Sequence, residues 1–181
     1  MKKLILMLSV VLFWSCAGVM DKQSRQVFLN RGEPFSVTVY PVHVVVSETT
    51  TSDTSLQMEV VAHLNEKGYA LAVASDEDVT IPFEWGMNQA KMFRRSAESF
   101  AQNQKGKELS TDYALLIEML SIQVESNMGG VHYYIVDTKG NVVDGSLCNS
   151  HWEEFTSVTP TNRHEGLKVA FNLLKHLEVG G

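Results

Sequence analysis

The sequence predicts an α/β domain built on a mixed sheet in two or three layers, in the order β-α-β-α-β-β-β-α. Three observations carry that prediction. Residues 35–46 and 113–124 are rich in β-branched, aromatic and aliphatic side chains, as strands near the middle of a sheet are. Two stretches between them carry apolar residues at three- and four-residue spacing and close on a glycine, the mark of amphipathic helices. Two later apolar runs flank Asp137-Thr138-Lys139-Gly140-Asn141, which reads as a hairpin turn. With 181 residues, 44% of them hydrophobic, the chain is long enough for one domain with a real core. Its net charge of -6 excludes non-specific nucleic-acid binding, which needs a clustered basic surface.

The N-terminus sets the compartment. Met1-Lys2-Lys3 gives a positive start, and residues 4–14 form an apolar run with one serine in it. That is the layout of a secretory signal, and the run is too short for an ordinary membrane span. Ser15-Cys16-Ala17-Gly18 follows directly. A small residue and then cysteine at this place resembles the bacterial lipobox, although Phe13 stands where the usual pattern has leucine. The resemblance implies cleavage before Cys16 and attachment of acyl chains to it, giving a signal peptide over 1–15. The alternative is an ordinary signal cut after Ala17 or Gly18, with Cys16 lost. By resemblance to enterobacterial sorting, Ala17 after the cysteine points to the outer membrane. Removing residues 1–15 takes away Lys2 and Lys3 and no acid. The mature 166-residue chain then has 13 basic and 21 acidic side chains, a net -8.

Residues 17–34 are polar and lack a strong period, so they read as a lipidated tether (16–34) ahead of a single domain over 35–181. Extended, these 18 residues span at most about 60 Å. Residues 35–46 are the first strand, with Pro41 marking a bulge or unpaired position. Residues 47–52 read as a loop. Asp53 or Ser55 caps a helix over 56–67, whose Leu56, Val60 and Leu64 share a face, and Gly68 ends it. Residues 69–74 alternate large and small, as a strand does. An acidic turn and an irregular stretch broken by Pro82 lead to a helix over 87–104, stopped at Gly106. Its stripe is Met87, Ala90, Phe93, Ala97, Phe100 and Ala101. Residues 113–124 are the longest strand, buried on both faces in its first part. Asn127-Met128-Gly129-Gly130 turns the chain into strands 131–136 and 142–147. The last helix begins near Pro160 or Thr161, with Asn162 and Glu165 at capping-box spacing.

Few residues offer chemistry. Cys148-Asn149-Ser150-His151 precedes Trp152-Glu153-Glu154. A cysteine and a histidine can form a thiolate–imidazolium pair, but nucleophile and base usually come from distant parts of a chain. The competing reading is a buried cysteine at a strand end before a polar loop. Cys148, His151, His164 and Glu153 are the candidate metal ligands, a weak set beside two paired motifs. His43, His63, His132 and His176 read as structural. Glu153 and Glu154 are adjacent and face opposite ways in a strand, which makes them a poor glycosidase pair. There is no P-loop and no G-x-G-x-x-G, so nucleotide binding has no support. Arg94 and Arg95 read as a solvated helix face. Tyr133, Tyr134, Trp152 and Phe155 are candidates for a partner patch.

The lipobox-like cysteine, the V-x-V-x-P strand over 37–41, the helix ending at Gly68 and the strand entry Thr111-Asp112-Tyr113-Ala114-Leu115-Leu116 together resemble a known group. The chain is similar to bacterial lipoproteins with a TolB-N-like α/β domain, such as the periplasmic domain of CsgG and the penicillin-binding-protein activator LpoB. The likeness covers about residues 35–178. It implies a periplasm-facing outer-membrane lipoprotein working by protein contact in envelope assembly or regulation, as a possible homo-oligomer, with no catalytic residues, metal or cofactor. The chain lacks the long tether of the LpoB kind, and its hairpins are too short and polar for the pore of the CsgG kind. The alternative is a periplasmic thiol enzyme or metal-binding protein using Cys148 and His151.

Overall fold

A seven-stranded mixed sheet carries helices on both faces, in three layers. The structure is a computed structural model and describes residues 19–46, 49–82, 87–123 and 127–178. Cys16 lies outside the described residues. The helices are α1 (Lys22–Leu29), α2 (Thr54–Glu66), α3 (Gln89–Gln104), α4 (Glu153–Thr156) and α5 (Arg163–Leu174), with a 3-10 turn over Lys175–Leu177. The strands are β1 (Phe35–Val39), β2 (Val42–Val46), β3 (Thr49–Asp53), β4 (Ala70–Ala74), β5 (Tyr113–Gln123), β6 (Asn127–Asp137) and β7 (Val142–Asn149).

β5 is the axis of the sheet. On one side it pairs antiparallel with β6, and β6 with β7. On the other side it pairs parallel with both β1 and β2, which are two halves of the first expected strand, broken at Tyr40-Pro41. β1 pairs onward with β4 in parallel, and β2 pairs with β3 antiparallel. The chain thus moves outward from β1 to β4 through α2, then back past β1 to β5 through α3. Two crossovers of one hand in opposite directions place their helices on opposite faces. The larger core lies under α1, α2 and α5, and the smaller one under α3.

The break at Tyr40-Pro41 is a β-bulge. Val39 faces Leu115 and His43 faces Glu118, so four steps of one strand match three of the other. The extra residue changes which side the later residues face. Val37 and Val39 belong to the larger core, and so do Val42 and Val44. Tyr40, which belongs to the smaller core, donates its hydroxyl to Gln104 Oε1 at 2.9 Å under α3. Pro41 removes a backbone donor where the ladder is already interrupted.

Helix ends follow the capping signals. Asp53 Oδ1 accepts from the amides of Ser55 and Leu56, and Asn162 Oδ1 from Glu165. Glu165 reaches back to the amide and hydroxyl of Thr161 rather than to the cap itself. Gly68 has φ 69°, a left-handed conformation that glycine takes without steric cost.

Several elements differ from expectation: residues 127–130, read as the turn before a strand over 131–136, are the first part of β6 and pair with β5, and residues 153–156, where no element was expected, form α4. Residues 49–52, inside the stretch read as loop, form the edge strand β3 together with Asp53, which also caps α2 as expected. Residues 22–29, inside the stretch read as a tether, form α1. Asp21 caps it through Ser24, and the Asp21 amide donates to the Val142 carbonyl at 3.1 Å. Phe28 is fully buried, edge-on to Phe35 and Tyr113 at 5.0 Å each. The folded part therefore includes residues 19–34, ahead of the start expected at 35. The helix escaped a periodicity reading because one buried aromatic holds it, not a stripe. Phe28→Ala is expected to cost about 3–5 kcal/mol in a urea melt, through a large cavity. Val27→Ala, at a side chain 67% exposed, should leave the midpoint nearly unchanged.

Candidate functional site

The bulge puts His43 in line with Glu118, and Glu118 in line with His132. Ser52 on β3 lies opposite His43. A polar row thus crosses four strands on the α3 face of the sheet, flanked by the apolar side chains of the smaller core. His43, Glu118 and His132 are all buried. Tyr134 donates to Glu118 Oε2 at 2.7 Å. His132 Nδ1 lies 3.0 Å from the same hydroxyl. The tyrosine proton is directed at the carboxylate, so Nδ1 must carry a proton and donate to the phenol oxygen. His132 itself lies 3.8 Å from Glu118, too far for a direct hydrogen bond. At the other end His43 Nε2 donates to Asp78 Oδ1 at 3.1 Å, and Ser52 donates to Asp78 Oδ2 at 2.5 Å. His43 Nδ1 and His132 Nε2 are buried without a hydrogen-bond partner.

Burial pushes the Glu118 carboxyl up. His132, the Tyr134 hydroxyl and His43 outweigh that and hold it below the ordinary carboxylate range. Phe93 on α3 closes the row, with its ring 5.6 Å from His132 and 5.0 Å from Tyr134. That approach needs Gly145. A Cβ there would meet the Tyr133 carbonyl oxygen at 2.9 Å and the Phe93 ring at 3.2 Å.

A second buried carboxylate sits on the opposite face. Asp144, 1% exposed, accepts from Tyr133 at 2.7 Å and from His176 Nε2 at 2.8 Å on the same oxygen. Arg25 of α1 lies 3.6 Å from the other oxygen. His176 Nδ1 is 2.8 Å from the Leu173 carbonyl. A carbonyl and a carboxylate only accept, so both ring nitrogens donate and the imidazole is the charged form. Burial pushes the His176 pKa down, but its bonds to Asp144 and Leu173 and the Asp144 charge raise it above the usual value. Burial likewise pushes Asp144 up, and His176, Tyr133 and Arg25 together lower it. Nearby, Arg31 donates to the Phe28 and Leu177 carbonyls. These contacts clasp α1 and the C-terminal turn onto the β6–β7 hairpin.

The residues singled out from the sequence do not converge. Cys148 is fully buried, and its side chain joins the larger core. Burial first, and then the Glu154 charge, push its thiol up to about 11. Its sulfur contact is the Asn149 carbonyl, at 3.9 Å, not a histidine. His151 is exposed in the turn after β7. His164 pairs with Glu59 at 2.9 Å, on the outer surface of α5 and α2. Glu153 and Glu154 lie in the first turn of α4 and are exposed. Among the described residues no group of three or more histidine, cysteine, aspartate or glutamate side chains is placed to hold a metal ion. Tyr133, Tyr134 and Phe155 are buried, so of the expected aromatic patch only Trp152 is exposed. Other exposed apolar side chains are Val27 and Leu29 on α1, Met58 on α2, and Leu71 and Val73 on β4, an edge strand paired with β1.

The sequence matches no family model. It matches no curated protein. Among solved structures it is similar to a dodecamer of a PelC point variant from Paraburkholderia phytofirmans, at 16% identity and a TM-score of 0.42, over 83% of this chain and 92% of that one.

Two outcomes are expected. A thiol reagent at neutral pH should label Cys148 only after denaturation, read by intact mass. The His176–Asp144 pair should stabilise the fold in a pH window set by both shifts. The His176 part is fully present below the ordinary histidine pKa and is lost as pH rises through the raised one. The Asp144 part is lost as pH falls through the lowered carboxylate value. His176→Ala should therefore cost about 1 kcal/mol in a melt near pH 6, the histidine being half-exposed, and less at pH 9.

Proposed function

We propose that the chain is an outer-membrane lipoprotein facing the periplasm, anchored through Cys16, which serves in envelope assembly or regulation by protein contact and not by catalysis. The observation that carries this reading is the place of Cys16. It stands after a small residue at the end of a signal-type apolar run, where cleavage belongs. Acylation accounts for a cysteine at that position, and its acyl chains hold at about 0.8 kcal/mol per buried CH2.

The domain supports the rest of the reading. Its remaining cysteine is packed in the core with a raised pKa, the opposite of an activated nucleophile. Its titratable clusters lie beneath helices. What it presents outward is surface, including the β4 edge with Leu71 and Val73. An edge strand with exposed apolar side chains suits pairing with a partner strand, a second copy of this chain included. We take the domain to be of the TolB-N-like kind on the motifs around residues 37–41 and 111–116.

Cys16→Ala, expressed in a bacterium with lipoprotein processing, is expected to accumulate as the full-length precursor on a gel. The unaltered chain should run as the shorter form and carry diacylglycerol by mass spectrometry. Maturation of Cys16→Ala to the shorter form would overturn the anchor.

A further inference from the structure

We propose that the end of the domain formed by the Asp137–Asn141 turn, the C-terminus of α3 and the N-terminus of α1 rests on the phospholipid leaflet that holds Cys16. This rests on the anchor reading above and adds an orientation to it. The argument starts from where the chain leaves the domain. Val19 and Met20 are partly buried against the core beneath α3, and the Asp21 amide is bonded to Val142. From Val19 back to Cys16 is three peptide steps, about 11 Å at full extension. The 18-residue tether read from the sequence would allow the domain to tumble. A three-residue leash does not.

The fold then says which surface is near the leaflet. Val19, Met20 and Asp21 line one shallow depression with Ala101, Lys105 and Lys139. All the elements that end there belong to one end of the sheet. Tyr113 pairs with Asp137, and Val37 with Tyr113, at the start of β5. The other end carries Val46, Gln123 and Asn149, with the exposed His151 and Trp152 just beyond. β5 has 11 residues, so the two ends stand about 36 Å apart.

The chemistry of the near end fits a lipid surface. Lys22, Lys105 and Lys139 are exposed there beside the acids Asp21, Glu98 and Asp112, with Asp137 half-buried in the turn itself, and Val27 is exposed next to that turn. Lysine stems and an exposed valine suit the head-group boundary.

The test places a fluorophore on a click-reactive amino acid that replaces Lys139 or, in a second protein, His151. Both are exposed turn positions. The lipidated protein is reconstituted into phosphatidylethanolamine/phosphatidylglycerol vesicles with a nitroxide on the head group. The label at 139 is expected to lose most of its emission and the label at 151 none. Inserting about 20 Gly/Ser residues after Ala17 lengthens the leash and should restore the emission at 139. Equal quenching at both positions, or stronger quenching at 151, would overturn the orientation. A parallel arm takes residues 16–181, which include every described element, and couples the Cys16 thiol to maleimide-lipid vesicles, since Cys148 is buried. If cell-derived protein lacks diacylglycerol by mass, the anchor reading fails, and this arm still reads the orientation. If the lipid is present and 139 is not quenched, the orientation alone fails.

Discussion

The architecture depends on one extra residue. Between Val39 and His43 the first strand takes four steps while β5 takes three. Without that bulge, Val42 and Val44 would point at α3, and His43 would point into the larger core among Val37, Val39 and Leu115. With it, one strand serves as two. β1 keeps β4 in parallel and β2 accepts β3 from the opposite direction. The place where β4 ends needs filling, and Gln57 of α2 does it. Its Nε2 donates to the carbonyls of Val39 and Ser75 at 2.8 Å each. The Val39 carbonyl also accepts from the Ser75 amide at 2.8 Å, so Gln57 ties both carbonyls together where the β1–β4 ladder ends. Few substitutions fit there, because a shorter or apolar side chain at 57 would leave both carbonyls without that donor.

A second bulge explains the second cluster. Ile135 faces Asp144 and Val136 faces Val142, so Val143 is extra on β7. Val143 and Asp144 then share the face of the larger core, and Asp144 meets Tyr133 and His176. The two buried carboxylates are therefore not scattered accidents of composition. Each lies where, or next to where, a strand's parity is reset, and each is on the opposite face from the other. Burying an ionised carboxylate costs several kcal/mol unless partners offset it. Glu118 is offset by neighbours on adjacent strands of one sheet. Asp144 is offset by groups from both ends of the chain, Arg25 and His176. The first cluster holds the sheet in register, and the second holds the chain ends on it.

This shows why some of the protein was legible in its sequence and some was not. The helices over 54–66, 89–104 and 163–174 could be read because each has an apolar stripe and a cap within four residues. β5 could be read because a strand buried on both faces is nearly all apolar, and the pause at Pro41 marked the bulge. β3 could not, because Thr49–Asp53 is exposed and polar, and its pairing with β2 is the only thing that makes it a strand. The His43–Glu118–His132 row was out of reach for another reason. Its members are 75 and 14 residues apart, and their alignment depends on bulge parity, which no local pattern records. A lone glutamate inside an apolar strand was the available signal. Cys148 and His151 misled in the opposite direction. Three residues apart in sequence, they are separated by the strand's end, one inside the core and the other in solvent.

α1 changes what kind of partner the domain can meet. An 18-residue tether would let a membrane-held domain search a shell of up to about 60 Å. Once Phe28 is packed between Phe35 and Tyr113 and Arg31 is stacked on two of those rings at 4.2 and 4.5 Å, most of that length is spent inside the fold. On the anchor reading, contact is then made close to the membrane, with components of the same membrane or with neighbouring copies, and not across the periplasm. The same packing makes such contact more productive. A tethered partner on a short leash keeps a high effective concentration near its membrane, which falls as the leash lengthens. A weak edge-strand contact through Leu71 and Val73 gains from that concentration, while the same contact in free solution would stay mostly dissociated. On the anchor reading, the Phe28 packing that stabilises the domain is thus also what would confine it.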